Sequence, residues 1–379
     1  MTDNKQHILR IAYDAKRAYL NYRGLGNYCR NLFAQMAEYY GGNRYWLCTP
    51  QDKGLYPWLN EKPFERVLPG GLWSMMPSLW RRYGIPGALK DKKIDIYHGL
   101  SQELPEGIEK LGCKTVVTMH DAIFLRYPEL YSATYRRSFV RRNTSACQRA
   151  DLIVAISEQT KRDYMEFFGV EERRIKVVYQ GCNELYWREV SEADKQRVRD
   201  LFGLPREYAL CVGALEERKN QVRIIEAIAG SGNNIPLVLV GRGNEEYKHR
   251  LKECAKHYGV PLQFIEKAGQ EDLPAIYTMA TLFVYPSLFE GFGIPILEAA
   301  RCQVPIITSS GTCFEEIAGE GALYVPPTDS EAIGDAIRMS LQERTATQKR
   351  VETALRNTGK FRAEQRAREM MDVYLTLVS

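Results

Sequence analysis

The sequence predicts an α/β protein built from two Rossmann-like domains that face one another across a cleft. Three observations carry that reading. The chain of 379 residues is too long for one ordinary core and suits two. Short Val/Ile/Leu runs alternate with helix-like stretches throughout, as buried parallel strands do. The alternation breaks once, at a polar segment over residues 191–205, and then starts afresh.

In the first half the strand-like runs are HILRIAYDA (7–15), RYWLCTP (44–50), IDIYHGL (94–100), KTVVTMHDA (114–122), DLIVAIS (151–157) and RIKVVYQG (174–181). SEADKQRVRDLFGL (191–204) then reads as a polar helix, stopped by Pro205. The second set is YALCVGAL (208–215), PLVLVGRG (236–243), TLFVYPS (281–287), VPIITSS (304–310) and ALYVPP (322–327). The expected domains are residues 1–187 and 188–361. The C-terminal FRAEQRAREMMDVYLTLVS is an amphipathic helix with Met371, Tyr374, Leu375 and Val378 on one side. Residues 362–379 are expected to cross back onto the first domain.

Composition narrows the class. No apolar run approaches the roughly 20 residues of a membrane-spanning helix, and the N-terminal stretch lacks the pattern of a signal peptide. The expected location is the cytoplasm, with peripheral contact at the inner face of an anionic membrane. Nine cysteines form no C-x-x-C pair and read as reduced core residues, and with five histidines no metal site is expected. Residues 1–190 hold 29 Lys/Arg against 21 Asp/Glu, whereas residues 191–379 hold 23 against 26. The basic half suits a phosphate-bearing acceptor or a lipid surface, and ordinary solvated charge fits it equally. Nucleic acid is not an expected partner.

Ligands of open parallel sheets bind beyond the carboxyl ends of the strands, so chemistry is sought there. After TLFVYPS comes LFEGFGIPILE (288–298), with Glu290 and Glu298 on either side of a Gly291-Phe292-Gly293-Ile294 turn. The glycines allow close backbone approach, Pro295 fits a first helical turn, and Glu298 is expected near the helix start. A carboxylate can accept from both hydroxyls of a ribose, or it can simply complement the helix dipole. After YALCVGAL, beyond Gly213, the loop carries Arg218, Lys219 and Asn220, cations placed to hold a diphosphate or a solvated pair neutralised by Glu216 and Glu217. A lysine exposed on such a loop is expected to add little to stability.

In the first half, His120 and Asp121 follow a strand. The imidazole can donate a hydrogen bond to a sugar, though a lone strand-end histidine also serves structure. His98, at the end of IDIYHGL, is a further acceptor-side candidate with Asp121. Gly24 and Gly26 read as a flexible glycine loop before the helix NYCRNLFAQMAEYY, or as an ordinary strand-to-helix turn. GLWSMMPSLWRRYG (71–84) places Trp73, Met76, Trp80 and Tyr83 at helical spacing beside Arg81 and Arg82, either an interfacial face or a core-facing stripe. G-x-x-x-x-G-K-[ST], H-E-x-x-H, G-x-S-x-G and Asp-x-Asp are all missing. Charge on a leaving diphosphate would then be met by Arg, Lys and backbone amides.

Taken together these residues resemble the retaining glycosyltransferases of family 4, which have the two-domain GT-B fold. The most specific match is the E-x7-E signature, Glu290 to Glu298. GLGNY, VTMHD, ADLIVAISEQTKRDY, KVVYQG, EERKN, LVGRG and GTCFEEIAGEGALYVPPTD follow in order along most of the chain. The resemblance implies that Glu298 binds the donor ribose and that Glu290 contacts the donor sugar. It implies that the amides around Phe292, Gly293 and Ile294 hold hydroxyls or phosphate, and that Lys219 and Arg218 grip the diphosphate. His120 would touch the sugar near the reacting carbon, and Gly24 and Gly26 would approach from the other domain. Glu316 matches a glutamate of the late loop. Ala214 stands where many members carry arginine, which shifts diphosphate binding onto Arg218 and Lys219.

The function so implied is transfer of a sugar, with retention, from a UDP- or GDP-linked donor to a glycan or polyprenyl-diphosphate-linked acceptor in bacterial surface polysaccharide or lipopolysaccharide synthesis. No other cofactor is expected. With no carboxylate placed as a covalent nucleophile, front-face displacement is favoured, the leaving diphosphate taking the acceptor's proton. A nucleotide-sugar epimerase, a phosphorylase and a non-catalytic assembly partner are the alternatives.

Overall fold

Thirteen strands, all paired in parallel, make two sheets among the described residues. The computed structural model describes residues 8–22 and 24–379; His7, where the first strand-like run begins, and Arg23 lie outside them. The first sheet contains β1 (Arg10–Asp14), β2 (Arg44–Cys48), β3 (Phe64–Val67), β4 (Ile96–Gly99), β5 (Lys114–Met119), β6 (Leu152–Ala155) and β7 (Ile175–Val177). Its order is β3-β2-β1-β4-β5-β6-β7, with Ile11 flanked by Tyr45 and Ile96. The second contains β8 (Ala209–Val212), β9 (Leu237–Val240), β10 (Leu262–Ile265), β11 (Leu282–Tyr285), β12 (Ile306–Ser309) and β13 (Ala322–Val325), in the order β10-β9-β8-β11-β12-β13.

Every residue of β4, β6, β9, β11 and β12 is buried, because helices cover both faces of these sheets. In each sheet the order reverses at one place, between β1 and β4 and between β8 and β11. Loops leaving such a pair of strands run to opposite faces and open a crevice at the carboxyl edge. The chain divides into two compact units, residues up to Gly181 with Arg362–Ser379, and Cys182–Phe361.

The helix Ala363–Val378 belongs to the first unit and lies on the helix Gly24–Tyr40. It buries Met370, Met371, Val373 and Tyr374. Leu375, expected on the inner side, is 44% exposed. Tyr374 anchors the helix: its hydroxyl meets His98 Nδ1 at 2.8 Å and the Tyr13 hydroxyl at 3.1 Å.

Two further expectations are corrected. Gly24 and Gly26 are the first turn of the helix Gly24–Tyr40, not a loop. Gly26 is needed for packing: a Cβ there would sit 1.8 Å from the Asn21 carbonyl oxygen, while one at Gly24 would meet nothing. Arg30, one turn later, fixes the junction by donating to the Ala18 and Asn21 carbonyls at 2.8 and 2.9 Å. The 71–84 stretch is not one helix but a 3₁₀ turn (Gly71–Met75), a turn at Pro77–Leu79 and a π turn (Trp80–Gly84). Its helical stripe is therefore broken, with Trp80 buried and Trp73, Met76 and Tyr83 exposed. No helix among the described residues is long and apolar enough to cross a membrane.

Candidate active site

The second unit's switch point is where two loops are sewn together. After β8, Gly213 leads into a short 3₁₀ turn, Glu217–Lys219, and Asn220 follows in the left-handed region at φ 60°. That conformation suits Asn, whose short side chain can bond locally. Here the Asn220 amide donates to the Pro286 carbonyl at 3.1 Å and also to Pro327. The Leu288 amide donates back to the Arg218 carbonyl at 2.8 Å. The loops after β8 and β11 are thereby held side by side.

Their joining point is Glu290. Its Oε1 accepts from the Lys219 ammonium, from Arg218 Nη1 at 2.7 Å, from Ser287 Oγ at 2.6 Å and from the Tyr285 hydroxyl at 3.2 Å. Lys219 also donates to the Tyr285 hydroxyl at 2.5 Å. Burial by itself would raise the carboxyl, but the Arg218 and Lys219 charges outweigh it and hold Glu290 down at about 2. Burial pulls the Lys219 ammonium below its ordinary value, against the pull of Glu290. Arg218 reaches on to the Phe289 carbonyl at 2.8 Å and to Glu216 at 2.6 Å. Lys219 is only 8% exposed, so the expectation of an exposed lysine is overturned.

The glycine turn that follows is held rigidly. Gly293 caps the helix Ile294–Arg301 at φ 111°, and a Cβ there would lie 2.9 Å from the Phe314 ring. The Cys313 thiol donates to the Phe292 carbonyl at 2.8 Å and faces that of Glu290 at 3.2 Å. Gly291, Phe292 and Gly293 are buried and Ile294 half-buried. Of the first turn, Pro295 has no amide hydrogen and the Ile296 amide donates to the Gly293 carbonyl at 2.9 Å, which leaves the Ile294 amide at the positive end of the helix dipole. The Ile294 amide and two cations thus flank the same turn.

Glu298 lies deeper in the helix than expected, in its second turn, past the reach of a simple dipole complement. Its Oε2 accepts from the Tyr277 hydroxyl at 2.9 Å. Burial raises its carboxyl to about 7, against the pull of the Tyr277 and Tyr186 hydroxyls. Glu290 and Glu298 therefore face different partners and sit at opposite ends of the ionisation range. Glu316 is half-buried on the short helix Phe314–Ala318.

The other candidates lie in the first unit. His120 Nε2 meets the Leu100 carbonyl at 2.8 Å. A carbonyl only accepts, so Nε2 carries the proton and Nδ1 is left as an acceptor. Burial lowers the imidazole to about 4 and keeps it neutral. It can accept from a sugar hydroxyl rather than donate as expected. His98 has no exposed surface, and its ring nitrogens meet the Tyr374 and Thr118 hydroxyls, both at 2.8 Å. It is a core residue, and its acceptor-side role is withdrawn. Asp121 is half-buried and caps the next turn through the Ile123 amide at 3.2 Å.

Sequence reasoning missed Tyr285, Ser287, Tyr277 and Tyr186. Tyr285 and Ser287 lay within TLFVYPS, where polar atoms in a fully apolar strand were the available signal. Tyr277 and Tyr186 come from separate elements, and only folding brings Tyr277 to Glu298.

Comparison with known proteins accords with this geometry. Residues 192–358 match the family Glycosyl transferases group 1, and residues 22–184 match Glycosyltransferase Family 4. The O-antigen chain mannosyltransferase B of Escherichia coli is 32% identical over 263 residues, 68% of each chain. The serotype-specific mannosyltransferase WbdA of Escherichia coli is 30% identical over 279 residues, 71% of this chain but 34% of that longer one. Among solved structures, Anabaena HepE in complex with UDP-glucose superposes with a TM-score of 0.77 at 18% identity, covering 98% of this chain and all of that one. That likeness is one of fold. With a family match in each half, the parallel sheets of the GT-B fold and a mannosyltransferase relative aligned over two thirds of both chains, the protein belongs to glycosyltransferase family 4 and is a glycosyltransferase.

Proposed function

We propose that the protein transfers mannose, with retention, from a nucleoside-diphosphate donor to a growing glycan in bacterial surface polysaccharide synthesis. The observation that carries the reading is the cluster of buried Lys219 with half-buried Arg218 and Glu290 at the second switch point, beside a glycine-capped helix start. The O-antigen mannosyltransferase relative supports the choice of sugar and pathway class. Arg218 and Lys219 grip the donor diphosphate. Glu290 positions them and meets a sugar hydroxyl, helped by Gly291, Phe292, Gly293 and Ile294. Glu298 accepts from the ribose, and Gly213 keeps the floor beside Lys219 clear of a side chain: a Cβ there would stand 3.9 Å from Nζ.

No step requires a metal or an organic cofactor in this reading. Oriented cations stabilise charge as it develops on the leaving phosphate, and that phosphate takes the acceptor hydroxyl's proton on the same face. His120, neutral and accepting at Nδ1, orients a sugar hydroxyl. The acceptor is a lipid-linked glycan, with the work done at the inner face of the membrane.

The test is a transfer assay with GDP-mannose, UDP-glucose and UDP-N-acetylglucosamine in the presence of lipid-linked oligosaccharide, the product's anomeric configuration being read by NMR. Transfer from GDP-mannose with an α-linkage is expected. Conversion of donor without acceptor, or binding of no nucleotide at all, would overturn the reading.

A further inference from the structure

The first sheet has its own switch point, between β1 and β4, and an open cavity of about 1070 Å³ lies there. Its walls come from the ends of those strands, from the 71–84 stretch and from the helix Ala133–Arg149. Seven lining side chains are cationic and three acidic. The acids are already engaged. Asp14, buried at the end of β1, pairs with Arg81 at 2.8 Å. Glu103 pairs with Arg81 at 2.8 Å and with Arg142 at 2.6 Å, and Glu106 with Arg82 at 3.3 Å and with Arg149 at 3.9 Å, the last also meeting Glu109 at 3.4 Å. Lys16, Arg137 and Arg141 remain, with no carboxylate within 4.0 Å among the described residues. Lys16 is half-buried, and its ammonium is lowered first by burial and then by the Arg81 and Arg17 charges. A concave surplus of positive charge is a site for a multiply charged anion.

The rim has a second character. Ser74, Pro77 and Ser78 line the cavity, and between and beside them Leu72, Met75, Met76 and Leu79 are exposed by 79, 81, 45 and 48%. So many large apolar side chains within eight residues is a patch that marks contact with an apolar partner. Cations inside and an apolar lip outside describe a ligand with a charged head and a hydrocarbon tail. A flat bilayer cannot reach a half-buried lysine in a cavity, and a soluble sugar phosphate leaves the lip bare.

We propose that this cavity binds the diphosphate of the acceptor's lipid carrier, the phosphates on Lys16, Arg137 and Arg141 and the first isoprenoid-like carbons on Leu72, Met75, Met76 and Leu79. The inference rests on the transferase reading and gives its acceptor a place in the first unit.

The test uses the full chain with farnesyl diphosphate as probe, the donor site being filled by whichever nucleoside diphosphate stabilises the protein most. Arg137 and Arg141 lie one turn apart on an exposed helix face, so R137A/R141A is expected to keep the melting temperature. That variant should lower affinity for farnesyl diphosphate at least tenfold and leave nucleotide affinity unchanged. L72S/M75S should weaken farnesyl diphosphate but not inorganic pyrophosphate. Unchanged farnesyl diphosphate affinity in R137A/R141A, with nucleotide still bound, overturns the cavity assignment. So does a variant that loses sedimentation with phosphatidylglycerol vesicles while keeping the probe. Equal affinity for mannose 6-phosphate and farnesyl diphosphate overturns the lipid half. Probe binding that responds to the variants in a protein that binds no nucleotide keeps the cavity as a diphosphate site and sinks the transferase reading instead.

Discussion

Lys219 and Glu290, 71 residues apart in sequence, form a largely buried ion pair that closes the switch point of the second sheet. Each comes from the loop after one of the two strands where the order reverses, so the pair exists only because β8 and β11 are neighbours. Ser287 and Tyr285 add hydroxyls to the same carboxylate oxygen, which keeps the cations in place before any ligand arrives.

Lys219→Ala leaves Glu290 with Arg218 as its remaining cation. Removing one partner of a buried pair exposes the cost of the other charge, softened here by that arginine. Stability should fall by about 1–3 kcal/mol, read from a chemical melt. Turnover should fall at least a hundredfold, on the scale of losing one preorganised donor at a developing oxyanion. A variant as stable as wild type would contradict the buried pairing.

Glu290→Gln keeps the shape and removes the charge from beneath two cations. A loss of about 3–5 kcal/mol is expected at neutral pH. The sign with pH follows from the depressed carboxyl. Wild-type stability from this group is complete above its ordinary value near 4.5 and is lost as pH falls towards about 2. The gap between wild type and Glu290→Gln should therefore close in acid, as measured by urea melts across that range.

Glu298 titrates in the opposite sense. Its folded-state carboxyl stands at about 7, above its unfolded value, so the folded protein holds an extra proton between those values. Stability should decline as pH rises from about 4.5 to about 7, by at most roughly 3 kcal/mol, and Glu298→Gln should flatten that decline. If the ionised carboxylate accepts from the ribose, nucleoside diphosphate affinity should rise with pH through 7 in wild type and rise less in the variant. Calorimetric titrations at three pH values, with both proteins, read this directly.

Gly26→Ala and Gly24→Ala separate packing from flexibility. The first drives a methyl against the Asn21 carbonyl and should cost about 1–3 kcal/mol; the second meets open space and should be close to neutral. Equal melting temperatures for the two variants would contradict the packing role of Gly26.

Much of this was legible in the sequence. Eleven of the strands lie inside the apolar runs, because parallel strands covered on both faces are apolar throughout. The two that escaped, β3 and β10, lie at sheet edges with partly exposed residues, so FERV and LQFI carry no continuous apolar signal. Arg218, Lys219 and Glu290 were named as candidate site residues, but not that they would neutralise one another. That pairing depends on Asn220 stitching two loops 66 residues apart, which no local pattern encodes. The glycines at 24 and 26 were misread because glycine signals freedom of the backbone equally when its real use is the absence of a side chain. His98 was misread because a strand end looks the same in sequence whether its side chain meets solvent or, as here, Tyr374 of a helix 276 residues away.

The central claim is that Lys219 and Arg218, held by Glu290, receive the donor's diphosphate. Calorimetric titration of GDP, UDP and the corresponding nucleosides into wild type and Lys219→Met tests it most directly. Wild type is expected to bind one diphosphate at least a hundredfold more tightly than its nucleoside, and the variant to lose most of that difference while nucleoside affinity holds. Full retention of the diphosphate preference by Lys219→Met would contradict the account.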